Sequence, residues 1–214
     1  LPLGIRAAAS KNSIFDKTSS VVLVILYAMP TFWVATILLM SFANTEALHL
    51  FPASGIQPVT GIPDEARWLE KISLHLPDLI LPTIAYTYSQ LAFLSRITRV
   101  SMLEVIGQDY IRTARAKGLS ETKVIYTHAF RNALLPIITI FSNIFPAAIG
   151  GSVILETIFT IPGMGEQMFH AILTKDYPVI IDVFTLTGIL TLLGYLIADI
   201  LYAVADPRIS YSSK

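Results

Sequence analysis

Val179 to Ala205 reads VIIDVFTLTGILTLLGYLIADILYAVA, and Asp182 and Asp199 are its only formally charged side chains. A helix that crosses the hydrocarbon core of a bilayer needs roughly 20 apolar residues. Every backbone polar group in that core must be paired inside the protein, so only helices and closed barrels can span it. The run lacks the alternation of a barrel strand and so predicts a transmembrane helix.

Working outward, three further segments have this character. They run from about Ser20 to Ala43, from about Pro77 to Ile97 and from about Ala133 to Leu155. The chain has 214 residues, 54% hydrophobic and 14% charged. A soluble domain carries nearer a quarter charged residues, so little polar surface is left to cover four buried helices of a soluble fold. The expected fold is all-α, a polytopic transmembrane bundle in a single domain over 1–214, with spans at about 20–43, 77–97, 133–155 and 179–205. The second and third spans carry polar and helix-breaking residues. These are Pro82, Gln90 and Arg96 in one, and Ser142, Asn143, Pro146 and Gly150-Gly151 in the other. Such residues are tolerated where a helix faces protein or a wet cavity. Gln90, Ser142 and Asn143 are therefore candidates to line a path, and Asn143 equally suits an interhelical hydrogen bond.

Basic residues set the expected topology. Arg96, Arg99, Arg112, Arg115, Lys117, Lys123 and Arg131 crowd the segment between the second and third spans, whereas 44–76 has only Arg67 and Lys71, and 156–178 only Lys175. Cytoplasmic loops carry the excess of Lys and Arg, so the loop at about 98–132 and both chain ends are expected inside. The chain opens Leu1-Pro2-Leu3-Gly4-Ile5. That reads as the tail of a span whose beginning is absent, so the chain is expected to be the C-terminal portion of something longer.

Composition excludes several classes. The formal net charge is zero, which gives no global field for nucleic acid. There are no cysteines, so disulfide and thiolate chemistry are absent. His49, His75, His128 and His170 are scattered, and none has the spacing of a metal site or a hydrolytic constellation. No G-x-x-x-x-G-K-[ST] run occurs, so the sequence predicts no ATP site of its own.

The basic loop carries its own pattern. Met102-Leu103, Val105-Ile106, Tyr110-Ile111 and Ala114 recur at helical spacing. Gly118 then suits a left-handed helix end, and Ser120 can cap a second helix by accepting a backbone N–H. The expectation is helix, sharp turn, short amphipathic helix with Val124, Ile125, Tyr126, Ala129 and Phe130, then the third span. Such an element either lies in the headgroups or docks on a cytoplasmic partner.

Two runs sharpen this. Asp109-Tyr110-Ile111-Arg112-Thr113-Ala114-Arg115-Ala116-Lys117-Gly118-Leu119-Ser120, continued by His128 to Pro136, resembles the coupling-loop signature of bacterial ABC importer permeases of the dipeptide/oligopeptide/nickel family. Met29-Pro30-Thr31-Phe32, Phe51 to Gly55, Leu81-Pro82, Glu156 to Gly165 and Asp206-Pro207-Arg208 match the same family in order. Arg112-Thr113-Ala114 stand where the broader importer pattern has Glu-Ala-Ala.

The resemblance implies a type I ABC importer permease fold with its first two family spans missing here, in a bacterial or archaeal cytoplasmic membrane. It implies a channel-forming, non-enzymatic subunit whose partners are a second permease, favoured as a paralogue, two cytoplasmic ATPases that hold ATP-Mg, an external solute-binding protein and membrane lipid. It implies coupling-loop roles for Ala114, Gly118, Leu119, Ser120, Val124 and His128, and an outer docking loop at Pro162, Gly163 and Gly165. His128 also reads simply as a half-buried loop histidine. A stand-alone secondary transporter or channel is the competing reading; it needs an intramembrane ion site, and the spans offer few ionisable residues beyond Asp182, Asp199 and Arg96.

Overall fold

The computed structural model of the chain describes residues 1–44, 46, 48–52, 68–142, 147 and 150–205, with the side chains of 68–75 left out. All regular structure among them is helical. The helices are α1 (Pro2–Ala9), α2 (Ile14–Ala28), α3 (Thr31–Ala43), α4 (Trp68–Ile106), α5 (Asp109–Ala116), α6 (Glu121–Phe141), α7 (Val153–Phe159), α8 (Met164–Thr174) and α9 (Tyr177–Ala205).

Among these, α6 and α9 are long and apolar enough to cross a membrane, and α2 with α3 adds a third crossing if the interrupted pair counts as one. The sequence predicts four, and the described helices differ from that expectation in three places. The expected span 20–43 is interrupted, because Pro30 has no N–H and pushes Met29 out of the helical region. The Met29 carbonyl freed there accepts from the Tyr88 hydroxyl at 2.6 Å, so the break leaves no orphan acceptor. In the expected span 77–97, α4 is long enough but falls short in apolarity. The cause is the polar run Tyr86-Thr87-Tyr88-Ser89-Gln90, with Ser95 and Arg96 beyond it and Asp78 before it. The expected span 133–155 is not one described helix: α6 begins twelve residues earlier, at Glu121 rather than Ala133, and ends at Phe141, while 143–146 and 148–149 lie outside the described residues.

The chain divides into two compact units. The first comprises Leu1–Tyr27, Gln90–Ala148 and Leu186–Lys214. Its core gathers Ile5, Ala8, Met102, Ile111, Ala114, Val124, Ala129 and Ala133, from α1, α4, α5 and α6. A Cβ on Gly4 would meet the Ser95 carbonyl and the Thr98 side chain, so only glycine lets α1 lie against α4. Asp16 of α2 is 2% exposed and receives Arg99 of α4 in a two-pronged contact, Nε to Oδ1 at 2.5 Å and Nη2 to Oδ2 at 2.8 Å. The Asn12 backbone N–H also donates to Asp16 at 3.0 Å. Along α6 and α9, the Ser142 carbonyl fills the space where a Gly194 side chain would stand. Thr139 bonds Tyr202, and Arg131 donates to the Val204 and Ala205 carbonyls that end α9. Small residues and interhelical hydrogen bonds are how helices associate where lipid removes the hydrophobic drive.

The second unit comprises Ala28–Ser89 and Ile149–Thr185. It packs Ala35 and Ala43 of α3, Leu81 and Ala85 of α4, and Leu155 and Phe159 of α7.

Candidate functional site

The basic loop folds into two helices around one glycine. α5 ends at Ala116, and Gly118 takes φ +79°, a left-handed conformation that relieves the chain of a Cβ penalty. A Cβ built there meets nothing within 4 Å, so backbone conformation alone demands the glycine. Ser120 stands at the N-cap of α6 with extended φ/ψ, yet its side chain makes no capping bond, contrary to expectation. Glu121 is turned instead to Arg115, which donates Nε to Oε1 at 2.7 Å and Nη2 to Oε2 at 3.3 Å. This pair closes the turn from α5 to α6, and no local sequence pattern points to it.

Behind the turn, Ile111, Ala114, Val124 and Ala129 are buried and Leu119 packs on the same cluster. The expected coupling residues Ala114 and Val124 are therefore the anchor of the element and not its outer surface. Arg112, Arg115, Lys117, Gly118, Ser120, Glu121, Lys123 and Tyr126 are exposed. His128 is half-buried, and its carbonyl accepts from Asn132 at 2.9 Å. Asn132 also donates to the Tyr110 hydroxyl at 3.0 Å, a second tie between α5 and α6. Burial pushes the Tyr110 hydroxyl pKa above its ordinary value.

The expected short helix does not stop before the span. It runs on as α6, with a π-helical turn over Val124–Ala129. Val124, Ala129, Ala133 and Ile137 are all buried, and the wide turn accommodates the five-residue step at the start of that stripe. Single π turns within α-helices are frequent at functional positions.

Gln90 is exposed on α4. Ser142 is buried, and its hydroxyl donates back to the Thr139 carbonyl at 2.7 Å. Asn143 lies outside the described residues. Asp199 is exposed and makes no ion pair among the described residues.

In the second unit, Gly163 and Gly165, just after Pro162, lie with Gly151 around the carboxylate of Glu156, which is 4% exposed. Glu156 Oε1 accepts from Ser152 N–H at 2.9 Å and Gly165 N–H at 3.3 Å, and Oε2 from Glu166 N–H at 2.6 Å. Ser152 caps α7 by accepting from Leu155 N–H at 3.4 Å. Ser152 and Glu156 thus make a reciprocal cap, one residue longer than a capping box. Gly165 and Glu166 are in the first turn of α8, whose N-cap Gly163 has no side chain to offer, so Glu156 supplies the missing acceptor from another helix. A side chain on Gly151 or Gly163 would collide with this carboxylate, and Gly165 has little more room. Three glycines and one acid form a single device. The motif is visible in the sequence; the role of its glutamate is not, because its donors stand both four residues before it and nine and ten after.

Residues 1–211 match the family model of the binding-protein-dependent transport system inner membrane component. The chain belongs to that family. Transport permeases similar to it include the oligopeptide transport system permease protein AppB of Bacillus subtilis (strain 168), 42% identical over 211 residues that cover 99% of this chain and 64% of AppB. The dipeptide transport system permease protein DppB of the same strain is 38% identical over 214 residues, 100% of this chain and 63% of DppB. DppB of Escherichia coli (strain K12) is 38% identical over 225 residues, 99% of this chain and 66% of that protein. The chain spans just under two thirds of the length of these relatives. The family is one of inner membrane components of transport systems, and these relatives are named as transport permeases.

Proposed function

We propose that this permease forms, with a second and paralogous permease subunit, the path of an ATP-driven importer of peptides or related small solutes. On this reading segment 98–132 is cytoplasmic and receives one of two ATPase subunits that bind ATP-Mg. Pro162, Gly163 and Gly165 face outside, toward a solute-binding protein. Four crossings, including α4 and one through 133–155, put both ends inside a bacterial or archaeal cytoplasmic membrane.

The observation that carries the proposal is the construction of the Gly118 turn. Its apolar side is locked into a core shared by α1, α4, α5 and α6. Its outer side is a solvated, mostly basic surface. A push on such an element moves the helices it is anchored to as a rigid body. Because coupling free energies are reciprocal, solute-loaded binding protein outside must alter ATPase behaviour inside.

Labelling with a membrane-impermeant amine reagent tests the sidedness. Lys123 is expected to react only in inside-out vesicles. Reaction at Lys123 from the outside of intact cells would remove the coupling role altogether.

A further inference from the structure

The Glu156 carboxylate stands where two helices begin. It accepts backbone N–H groups from the N-cap of α7 and the first turn of α8, and glycines at 151, 163 and 165 leave it the room. The hydroxyl of Tyr86, on α4, lies 3.5 Å from Oε1. A buried acid with backbone donors on both oxygens is a fixed joint: α8 cannot turn about its start without stranding either the carboxylate or the N–H groups of Gly165 and Glu166. The C-cap of α7, Thr160, holds φ +53°, a conformation that β-branched side chains rarely adopt. The Ile161 N–H donates to the Glu156 carbonyl at 2.9 Å across this left-handed residue, so Glu156 closes the turn through its backbone as well as its side chain.

We propose that Glu156 is a positioning residue for solute delivery. It fixes the Pro162–Gly165 turn and α8 in the single arrangement that a solute-binding protein engages, and Tyr86 ties that arrangement to α4. This rests on the importer reading above and adds the residue that sets the outer surface. Glutamine is the informative replacement. It keeps the size of the side chain but places an NH2 donor where one oxygen accepts, so it cannot serve donors on both sides. Aspartate keeps the charge and withdraws it by one methylene.

The test uses the whole transporter reconstituted in vesicles, with Gln167→Cys as the reporter. Gln167 is exposed on α8 and the chain has no other cysteine. Modification of this chain by an impermeant maleimide is read by mass spectrometry. Stimulation of ATPase activity is titrated with solute-loaded binding protein. Glu156→Gln is expected to speed labelling about fivefold or more. It is also expected to raise the binding-protein concentration for half-maximal stimulation about tenfold, while the stimulated maximum falls less than twofold. Tyr86→Phe is expected to give the same split, smaller in size, and it decides the matter should Glu156→Gln fail to assemble.

Unchanged labelling overturns the joint. Faster labelling with an unchanged half-maximal concentration overturns the positioning role and leaves a merely structural glutamate. A Gln167→Cys reporter that reacts only from the cytoplasmic side overturns the importer topology instead, while the ratio of labelling rates with and without Glu156→Gln still measures the joint.

Discussion

Arg115 and Glu121 hold each other with two hydrogen bonds across the Gly118 turn, Nε to Oε1 at 2.7 Å and Nη2 to Oε2 at 3.3 Å. Their side chains are 38% and 60% exposed. A pair so open to water contributes little to stability, at most about 1 kcal/mol. Its value is geometric: it fixes the angle at which α5 hands the chain to α6. Arg115→Ala is expected to leave thermal unfolding in detergent almost unchanged while loosening ATPase co-purification severalfold. The charge swap Arg115→Glu with Glu121→Arg is expected to restore most of the attachment. A swap that performs no better than the single change would reduce the pair to a surface ornament.

Gly118 separates two effects that usually travel together. Space is open around it, and only its φ of +79° resists substitution. Gly118→Asn is expected to be nearly neutral, since asparagine tolerates this region, whereas Gly118→Val is expected to cost about 1–2 kcal/mol and to detach the ATPase. Unfolding midpoints and co-purification on the same preparations check this. Equal behaviour of Asn and Val would mean that the turn does not depend on the left-handed conformation.

Asp16 and Arg99 make the opposite case. Asp16 is almost fully buried, and Arg99 joins it from 83 residues away. Asp16→Ala strands the guanidinium and the Asn12 N–H together. The expected loss is about 3 kcal/mol, read as a fall in the midpoint of thermal unfolding. Asp16→Ala combined with Arg99→Met is expected to recover part of it, because no buried charge is then left unpaired.

Gly194 is limited by space alone. The Ser142 carbonyl stands where its side chain would begin. Gly194→Leu is expected to push α9 from α6 and to cost roughly 2 kcal/mol. Disulfide crosslinking between cysteines introduced for Thr139 and Tyr202, whose hydroxyls meet in the native chain, is expected to slow markedly in the variant. Undiminished crosslinking would show that the two helices absorb the change.

The parts of this fold that could be read in the sequence are those whose cause is local. Gly118 after a helical run of apolar residues signals a left-handed helix end, and the structure has one. The run from Val179 to Ala205 signals a long apolar helix, and α9 is that helix. The break at Pro30 had a local cause that the hydrophobicity of the flanking residues masked. α6 extends past its expected start because Val124 and Ala129 are separated by a π turn, a spacing that suggests an interruption rather than a continuous helix. The tasks of Glu156, Asp16 and Arg115 depend on partners brought in by the fold. A carboxylate in an apolar setting shows that some donor must reach it, without naming the donor.

The π turn in α6 carries one more implication. A turn of that kind holds a residue more than the α-helix around it, so the segment Val124–Ala129 contains a surplus position. Deleting the exposed Thr127 would let the segment close up into ordinary α-helix, with Val124 still facing inward above Ala133 and Ile137. The same deletion elsewhere in α6 would rotate everything beyond it by about 100°. Within α6, shortening is therefore expected to be tolerated at this π turn, a few residues beyond Gly118, and length variation among related permeases should collect there.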